Sequence, residues 1–410
     1  MVLLTHLLPA ALFSLGVAAS PAPLGAEKNF ITLPISRHLN HNATSAKSIV
    51  QKDLARARAM KSGKKGIASR AVVSAPVTNV ATTYVAQVGV GSPPTYYSLI
   101  VDTGSSNTWV GAGQQYVETA TSVRTDSRVD VTYGSGSFSG SEYIDTVELA
   151  DGLVINRQSI GVASRSEGFD DGVDGILGLG PTDLTEGTLS PGGIIPTVVD
   201  NLFGQGTINS DVVAISFEPT TTDSVVNGEL TFGGVDASKF TGNINYTPIT
   251  FISPSNGYWG IDQRITYGGT TILFETAGIV DTGSTLILLA TDAFNRYQIA
   301  TGAVLDQNVG LLRISSSQYS QLRNLDFRIG GETYSLIPDA QIWPRALNSQ
   351  IGGNSDSIYL VVSDLGTPSG EGLDFINGYT WLERFYSVYD TGNRRVGLAT
   401  TPFTNTIINN

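Results

Sequence analysis

Two stretches of the chain each deliver an aspartate at the end of an apolar run. Leu99-Ile100-Val101 leads into Asp102-Thr103-Gly104-Ser105-Ser106, and Gly278-Ile279-Val280 leads into Asp281-Thr282-Gly283-Ser284-Thr285. A strand of this kind carries its carboxylate toward the interior, where an isolated charge is costly and two neighbouring carboxylates can share one proton. Repulsion between them separates their pKa values and leaves one acid and one base in the same site, the equipment for general acid–base activation of water. The glycines let the chain turn away with its backbone close to a partner, and the hydroxyls can donate to the carboxylates. A third copy, Asp390-Thr391-Gly392, lacks the following hydroxyl residues and lies between Tyr386-Ser387-Val388-Tyr389 and Asn393-Arg394-Arg395-Val396. It reads as the turn of a hairpin.

Composition narrows the alternatives. The 410 residues contain no cysteine and only three histidines, His6, His38 and His41. Thiol catalysis, disulfides and Cys-ligated metals are excluded, and loss of the amino-terminal segment would remove every imidazole as well. Carboxylates and tyrosines remain for acid–base work, and no metal or cofactor is expected.

The two aspartates must be positioned by related halves, because the motifs repeat 179 residues apart. A weaker echo follows each, Asp174-Gly175-Ile176-Leu177-Gly178-Leu179-Gly180 and Asp374-Phe375-Ile376-Asn377-Gly378. Short apolar runs punctuated by Gly, Ser, Asn and Pro predict a mainly β body, with strands at Thr83–Val90, Tyr96–Val101, Arg128–Tyr133 and Ser387–Asp390. Only short helices are expected, as at Ile194–Asn201 and Thr291–Ala300.

The amino terminus has a different character. Residues 1–20 are apolar and end in Ala18-Ala19-Ser20, which reads as a secretory signal peptide and implies a secreted, extracellular protein. Residues 21–70 carry ten basic and two acidic side chains, leaving 14 basic and 34 acidic in residues 71–410. A basic propeptide lying on an acidic enzyme accounts for this asymmetry, with Lys64 or Lys65 expected to reach the aspartate pair and cleavage expected near Arg70-Ala71. The strongly acidic body, whose one lysine is Lys239, argues against nucleic acid or anionic membranes as partners. Candidate glycosylation sequons stand at Asn42 and, weakened by the following Pro248, at Asn245.

Taken together, Asp102 to Val110, Val131-Thr132-Tyr133-Gly134-Ser135-Gly136-Ser137, Asp174 to Gly180 and Ala277 to Leu286 make the chain resemble the pepsin-type (family A1) aspartic endopeptidases, most like their secreted basidiomycete, polyporopepsin-like branch. The resemblance covers nearly the whole chain. It implies an all-β, bilobal fold, with lobes at 71–247 and 248–410 after a signal peptide (1–20) and propeptide (21–70). It also implies a zymogen, a monomer, an extended cleft for protein and peptide substrates, and sensitivity to pepstatin-like inhibitors. Asp102 and Asp281 would be the catalytic dyad, Thr103 and Thr282 interlocking supports, and Gly104, Ser105, Gly283 and Ser284 close neighbours of the carboxylates. Tyr133 would stand at the tip of a flap and hydrogen-bond Trp109, with Gly134, Ser135 and Thr285 meeting substrate. Asn377 departs from the family's usual Leu, which puts the packing behind Asp281 in question. Ser135 stands where some fungal relatives have Asp, so hydrophobic or aromatic residues are expected on both sides of the scissile bond.

Other classes are open on the residues alone. An inactive pepsin-like binding protein would keep the fold but lose Asp102, Asp281 or Tyr133, and all three are present. A two-carboxylate glycosidase fits the chemistry without requiring duplicated Asp-Thr-Gly loops. A secreted β adhesin or lectin fits the composition but explains neither the repeat nor the basic segment.

Overall fold

The computed structural model describes residues 30–39, 47–62, 82–134, 136–169, 171–222 and 225–410. Residues 1–20, Asn42, Lys64, Lys65, the Arg70-Ala71 junction and Ser135 lie outside these. Strands dominate, as the alternation of apolar and polar residues requires. The strands expected at 83–90, 96–101 and 387–390 occupy Thr82–Val90, Thr95–Asp102 and Phe385–Asp390. That expected at 128–133 is longer, Val123–Thr132, and stops before Tyr133. Of the two expected helices, Thr291–Thr301 forms nearly as read, while the other runs Val198–Gly204. Its start shifts because Thr197 caps it: Thr197 Oγ1 accepts from Asp200 N at 3.3 Å, and Asp200 accepts from Thr197 N at 2.7 Å.

The strands form a 14-stranded sheet, a seven-stranded sheet and a small three-stranded one. The repeat is visible in how each aspartate strand is flanked. Thr95–Asp102 runs parallel to Gly175–Gly178, with Asp102 opposite Gly178, and Thr270–Val280 runs parallel to Phe375–Asn377, with Val280 opposite Asn377. The second echo is therefore the strand beside each aspartate. Its own acid is structural: Asp174 accepts from Ser98 N (2.8 Å) and Gln114 N (2.7 Å), and Asp374 from Gly370 N (2.7 Å) and Glu371 N (3.1 Å).

The halves interlock through the large sheet, where Phe385–Asp390 pairs with Val212–Phe217 and closes a hairpin with Arg395–Thr400. Asp390-Thr391-Gly392 is the turn of that hairpin, as read from the sequence. Asp390 is held by Asn393 N at 3.0 Å and Arg395 Nε at 2.7 Å, away from any second aspartate loop.

The amino-terminal segment is integral to this architecture. Strand β1 (Ile31–Leu39) lies between Thr82–Val90 and Val226–Phe232, antiparallel to both. Its Arg37 is buried, 3.5 Å from Glu383, donates to Thr220 O at 3.1 Å and lies over the Trp343 and Tyr379 rings. Helix α1 (Lys47–Lys61) is built from strong helix formers and buries Ile49, Asp53, Arg56, Ala57 and Met60, positions that share one helical face. A charged pair thus sits inside an otherwise apolar seam. Among the described residues no helix is long and apolar enough to cross a membrane.

Candidate active site

The two Asp-Thr-Gly loops meet where the halves face each other, and they do so symmetrically. Thr103 N donates to Thr282 Oγ1 at 2.9 Å and Thr282 N returns a bond to Thr103 Oγ1 at 3.0 Å. Thr282 Oγ1 also donates to Val101 O at 2.9 Å, across the boundary between the halves. Each aspartate then receives the same two local donors. Asp102 accepts from Gly104 N (2.9 Å) and Ser105 Oγ (2.5 Å), and Asp281 from Gly283 N (3.0 Å) and Ser284 Oγ (2.6 Å). A Cβ on Gly104 would stand 2.5 Å from Asp281 Oδ1, and one on Gly283 would stand 2.5 Å from Asp102 Oδ1. Glycine is required at both places because the opposite carboxylate crosses over it.

A hydrogen-bonded path ties the two loops together from behind. Leu179 N donates to Asp102 O at 2.8 Å, Trp259 Nε1 donates to Leu179 O at 2.9 Å, and Val280 N donates to Trp259 O at 3.1 Å. Trp259 is thus a buried link between the halves, while its neighbour Tyr258 lines the cleft. The Asn377 departure is also accounted for. Asn377 and Gln263, both wholly buried, exchange amide hydrogen bonds at 2.9 and 3.3 Å, and Asn377 O accepts from Asp281 N at 3.1 Å. The polar side chain is satisfied by a partner 114 residues away in the sequence.

Tyr133 and Gly134 follow the strand Val123–Thr132 at a hairpin tip, with Tyr133 N bonded to Gly136 O at 2.8 Å. Tyr133 joins Trp109, Phe138 and Phe169 in one aromatic cluster, and Trp109 stacks on Phe138 with ring centroids 4.2 Å apart. Tyr133 and Trp109 are both buried in this cluster with their polar groups directed at each other, and the hairpin tip packs on α1: a Cβ on Gly134 would come within 2.3 Å of Ala55 O.

The group the sequence reading missed is Arg56. A lysine was expected at the aspartate pair; the guanidinium of Arg56 is there instead. Arg56 Nε donates to Asp281 Oδ2 at 2.7 Å and Nη2 to Asp281 Oδ1 at 2.9 Å, with a further short bond from Nη2 to Asp102 Oδ1. A planar fork spans two carboxylates in a way a single ammonium cannot. Three residues earlier, one helical turn back, Asp53 accepts from Leu286 N at 2.8 Å and Thr285 N at 3.1 Å. Thr285 is therefore engaged by α1, as are Gly104, which faces Met60, and Gly134.

These contacts set the electrostatics. Burial would raise the Asp281 carboxyl, but Arg56 and the Ser284 and Gly283 donors outweigh it and hold Asp281 below the usual carboxylate range. Asp53 goes the other way: burial dominates its bonds to the backbone amides and pushes it up to about 7.

The other candidate, Asn245, lies within the strand Thr241–Pro248 opposite Leu398, and its Nδ2 donates to Ile329 O at 3.1 Å. Its side-chain nitrogen thus bridges from the 14-stranded sheet to the seven-stranded one.

The family model described as eukaryotic aspartyl protease matches residues 83–401, spanning both Asp-Thr-Gly loops. The chain belongs to the eukaryotic aspartyl proteases. Among curated aspartyl proteases it is 65% identical to polyporopepsin of Irpex lacteus over 334 residues, 81% of this chain and 98% of that one. It is 32% identical to cathepsin E of Rattus norvegicus over 337 residues, 77% of this chain and 79% of that one. The crystal structure of aspartic proteinase from Irpex lacteus superposes with a TM-score of 0.80 at 56% identity, covering 93% of this chain and all of that one. The fold is the bilobal pepsin-like one and the protein is an aspartic endopeptidase, a hydrolase acting on peptide substrates. Both aspartates and Tyr133 are intact, so an inactive relative is not favoured.

Proposed function

We propose that the chain is the secreted, latent precursor of an acid-acting endopeptidase, with Asp102 and Asp281 as its catalytic pair. One ionised carboxylate deprotonates a water between the two, while the protonated partner donates to the peptide carbonyl oxygen as the tetrahedral intermediate forms. Activity falls as pH rises toward neutral, because the pair then no longer carries the proton that the mechanism donates. Ser105 and Ser284 fix the outer carboxylate oxygens, and Thr103 and Thr282 hold the two loops in register. Tyr133 and Gly134 close over a substrate with hydrophobic or aromatic residues on both sides of the scissile bond. The enzyme works as a monomer with lobes at 71–247 and 248–410, after loss of a signal peptide (1–20) and of residues 21–70.

The observation that carries this reading is the seat of Arg56 between the two aspartates. A buried guanidinium there occupies the place of the attacking water and leaves neither carboxylate free to act as base. The same helix covers Gly104, Gly134 and Thr285, where substrate backbone would run. Latency is maintained while the carboxylates are charged and relieved when acid protonates them.

The test is digestion of a denatured protein such as casein from about pH 2 to about pH 8, using acid-treated wild type and the Asp102→Asn and Asp281→Asn variants. Acid-dependent cleavage, blocked by pepstatin and absent from both variants, is the expected result. Cleavage that survives either substitution would overturn the assignment of the pair.

A further inference from the structure

Helix α1 lies in the cleft as a ligand would, so the groups that hold it mark places where substrate side chains can be held. Arg56 marks the aspartate pair. Five residues on, the ammonium of Lys61 is largely buried and bonded to Glu371 Oε2 at 3.0 Å and, by a short bond, to Thr367 Oγ1. Thr367 and Glu371 belong to one loop, and that loop is fixed independently of the helix. Gly366 N donates to Asp364, Ser369 N to Asp292, and Gly370 N and Glu371 N to Asp374, all between 2.7 and 3.1 Å. Beside it lies a cavity of about 350 Å³ lined by Gly370, Gly372, Ile252, Asp262 and Glu275. In this neighbourhood Arg296 is taken up by Asp292, the Ile272 carbonyl and the Phe274 ring, so a cation entering here meets the charge of Glu371.

We propose that Thr367 and Glu371 form a subsite for a lysine of the substrate, distinct from the hydrophobic positions beside the scissile bond. This rests on the reading above, in which α1 leaves the cleft and Lys61 goes with it. Along a helix Lys61 lies about 7.5 Å beyond Arg56, which an extended peptide spans in roughly two to three residues. The preferred lysine therefore stands two or three residues from the bond that is cut, on one side of it. A lysine ammonium reproduces the contacts of Lys61 atom for atom; norleucine, which keeps the four-carbon stem but has no ammonium, leaves Glu371 unpaired.

The experiment uses the acid-matured enzyme and quenched peptides with a common hydrophobic core. Lysine or norleucine is placed singly at each of the four positions on either side of the scissile bond, and kcat/KM is compared at about pH 5. The expected result is a lysine-to-norleucine ratio of about five at one position, carried by KM and reduced by high salt. Glu371→Gln brings that ratio to one, and Glu371→Lys transfers the preference to glutamate at the same position. A ratio near one at every position, or a lysine preference unchanged in Glu371→Gln, overturns the subsite while cleavage of the norleucine peptides leaves the protease reading standing. Failure to cleave any peptide, norleucine included, overturns both.

Discussion

Arg56 and Asp281 share two hydrogen bonds, Nε to Oδ2 at 2.7 Å and Nη2 to Oδ1 at 2.9 Å, both buried. The pair inverts the use of the carboxylate, from proton carrier to counter-ion. It also sets the sign of the pH response. Asp281 is held below its ordinary range while Arg56 is seated, so this contact stabilises docking of α1 above that range. Its contribution is lost as pH falls through the depressed value.

Asp53 opposes this. Its carboxyl is raised from 3.8 to about 7 when docked. Its contribution is therefore fully present below 3.8 and is lost as pH rises through 7. Asp53→Asn removes one proton from the linkage and makes release of α1 steeper with falling pH, by up to about tenfold per pH unit between those limits. The check is the rate of activation of the full chain at a series of pH values. Equal steepness in variant and wild type would contradict the opposition.

Replacing Asn377 alone by Leu strands the buried Gln263 amide. A loss of about 1–3 kcal/mol is expected, the cost of an unsatisfied buried polar group. Gln263→Leu combined with Asn377→Leu removes both polar groups and recovers most of it. Chemical denaturation of the acid-matured enzyme, Asn377→Leu, Gln263→Leu and the double variant measures the coupling directly.

Glu142 is expected to lower stability as pH rises from 4.5 to about 7. Its carboxyl is buried, one oxygen accepts from Ser159 Oγ at 2.6 Å, and the other has no hydrogen-bond partner among the described residues. Burial raises it from 4.5 to about 7. An acid raised on folding costs stability as pH climbs from the lower value to the higher, here up to about 3 kcal/mol. Glu142→Gln is expected to flatten that decline, seen as a smaller drop in Tm between about pH 4.5 and about pH 7.

The meeting of the two aspartates and the fold were legible because their signals are local. An apolar run, Asp-Thr-Gly and a hydroxyl recur twice, and strand periodicity surrounds them. What the sequence hid depends on distance. Gln263 completes Asn377 only because two strands bring them together. Arg56 was obscured by its company, since Asp53 and Arg56 occupy the buried face of α1 where periodicity leads one to expect apolar residues. Nothing in Lys47–Lys61 itself announces that the opposing surface is a pair of carboxylates and the backbone amides of Thr285 and Leu286. Similarly, Asn245 carries a sequon, but only the folded chain brings its amide to Ile329 O of the seven-stranded sheet.

The central claim is that Asp102 and Asp281 do the chemistry and that Arg56 silences them. The most direct test is the initial rate at which the uncleaved chain hydrolyses a quenched hydrophobic peptide, compared among wild type, Arg56→Ala, and Arg56→Ala combined with Asp102→Asn. Removing one partner of a buried ion pair costs about 3–5 kcal/mol, so Arg56→Ala is expected to raise the rate at least about 100-fold. Adding Asp102→Asn is expected to abolish the gain. An Arg56→Ala chain as latent as wild type, or one whose activity survives Asp102→Asn, would contradict the account.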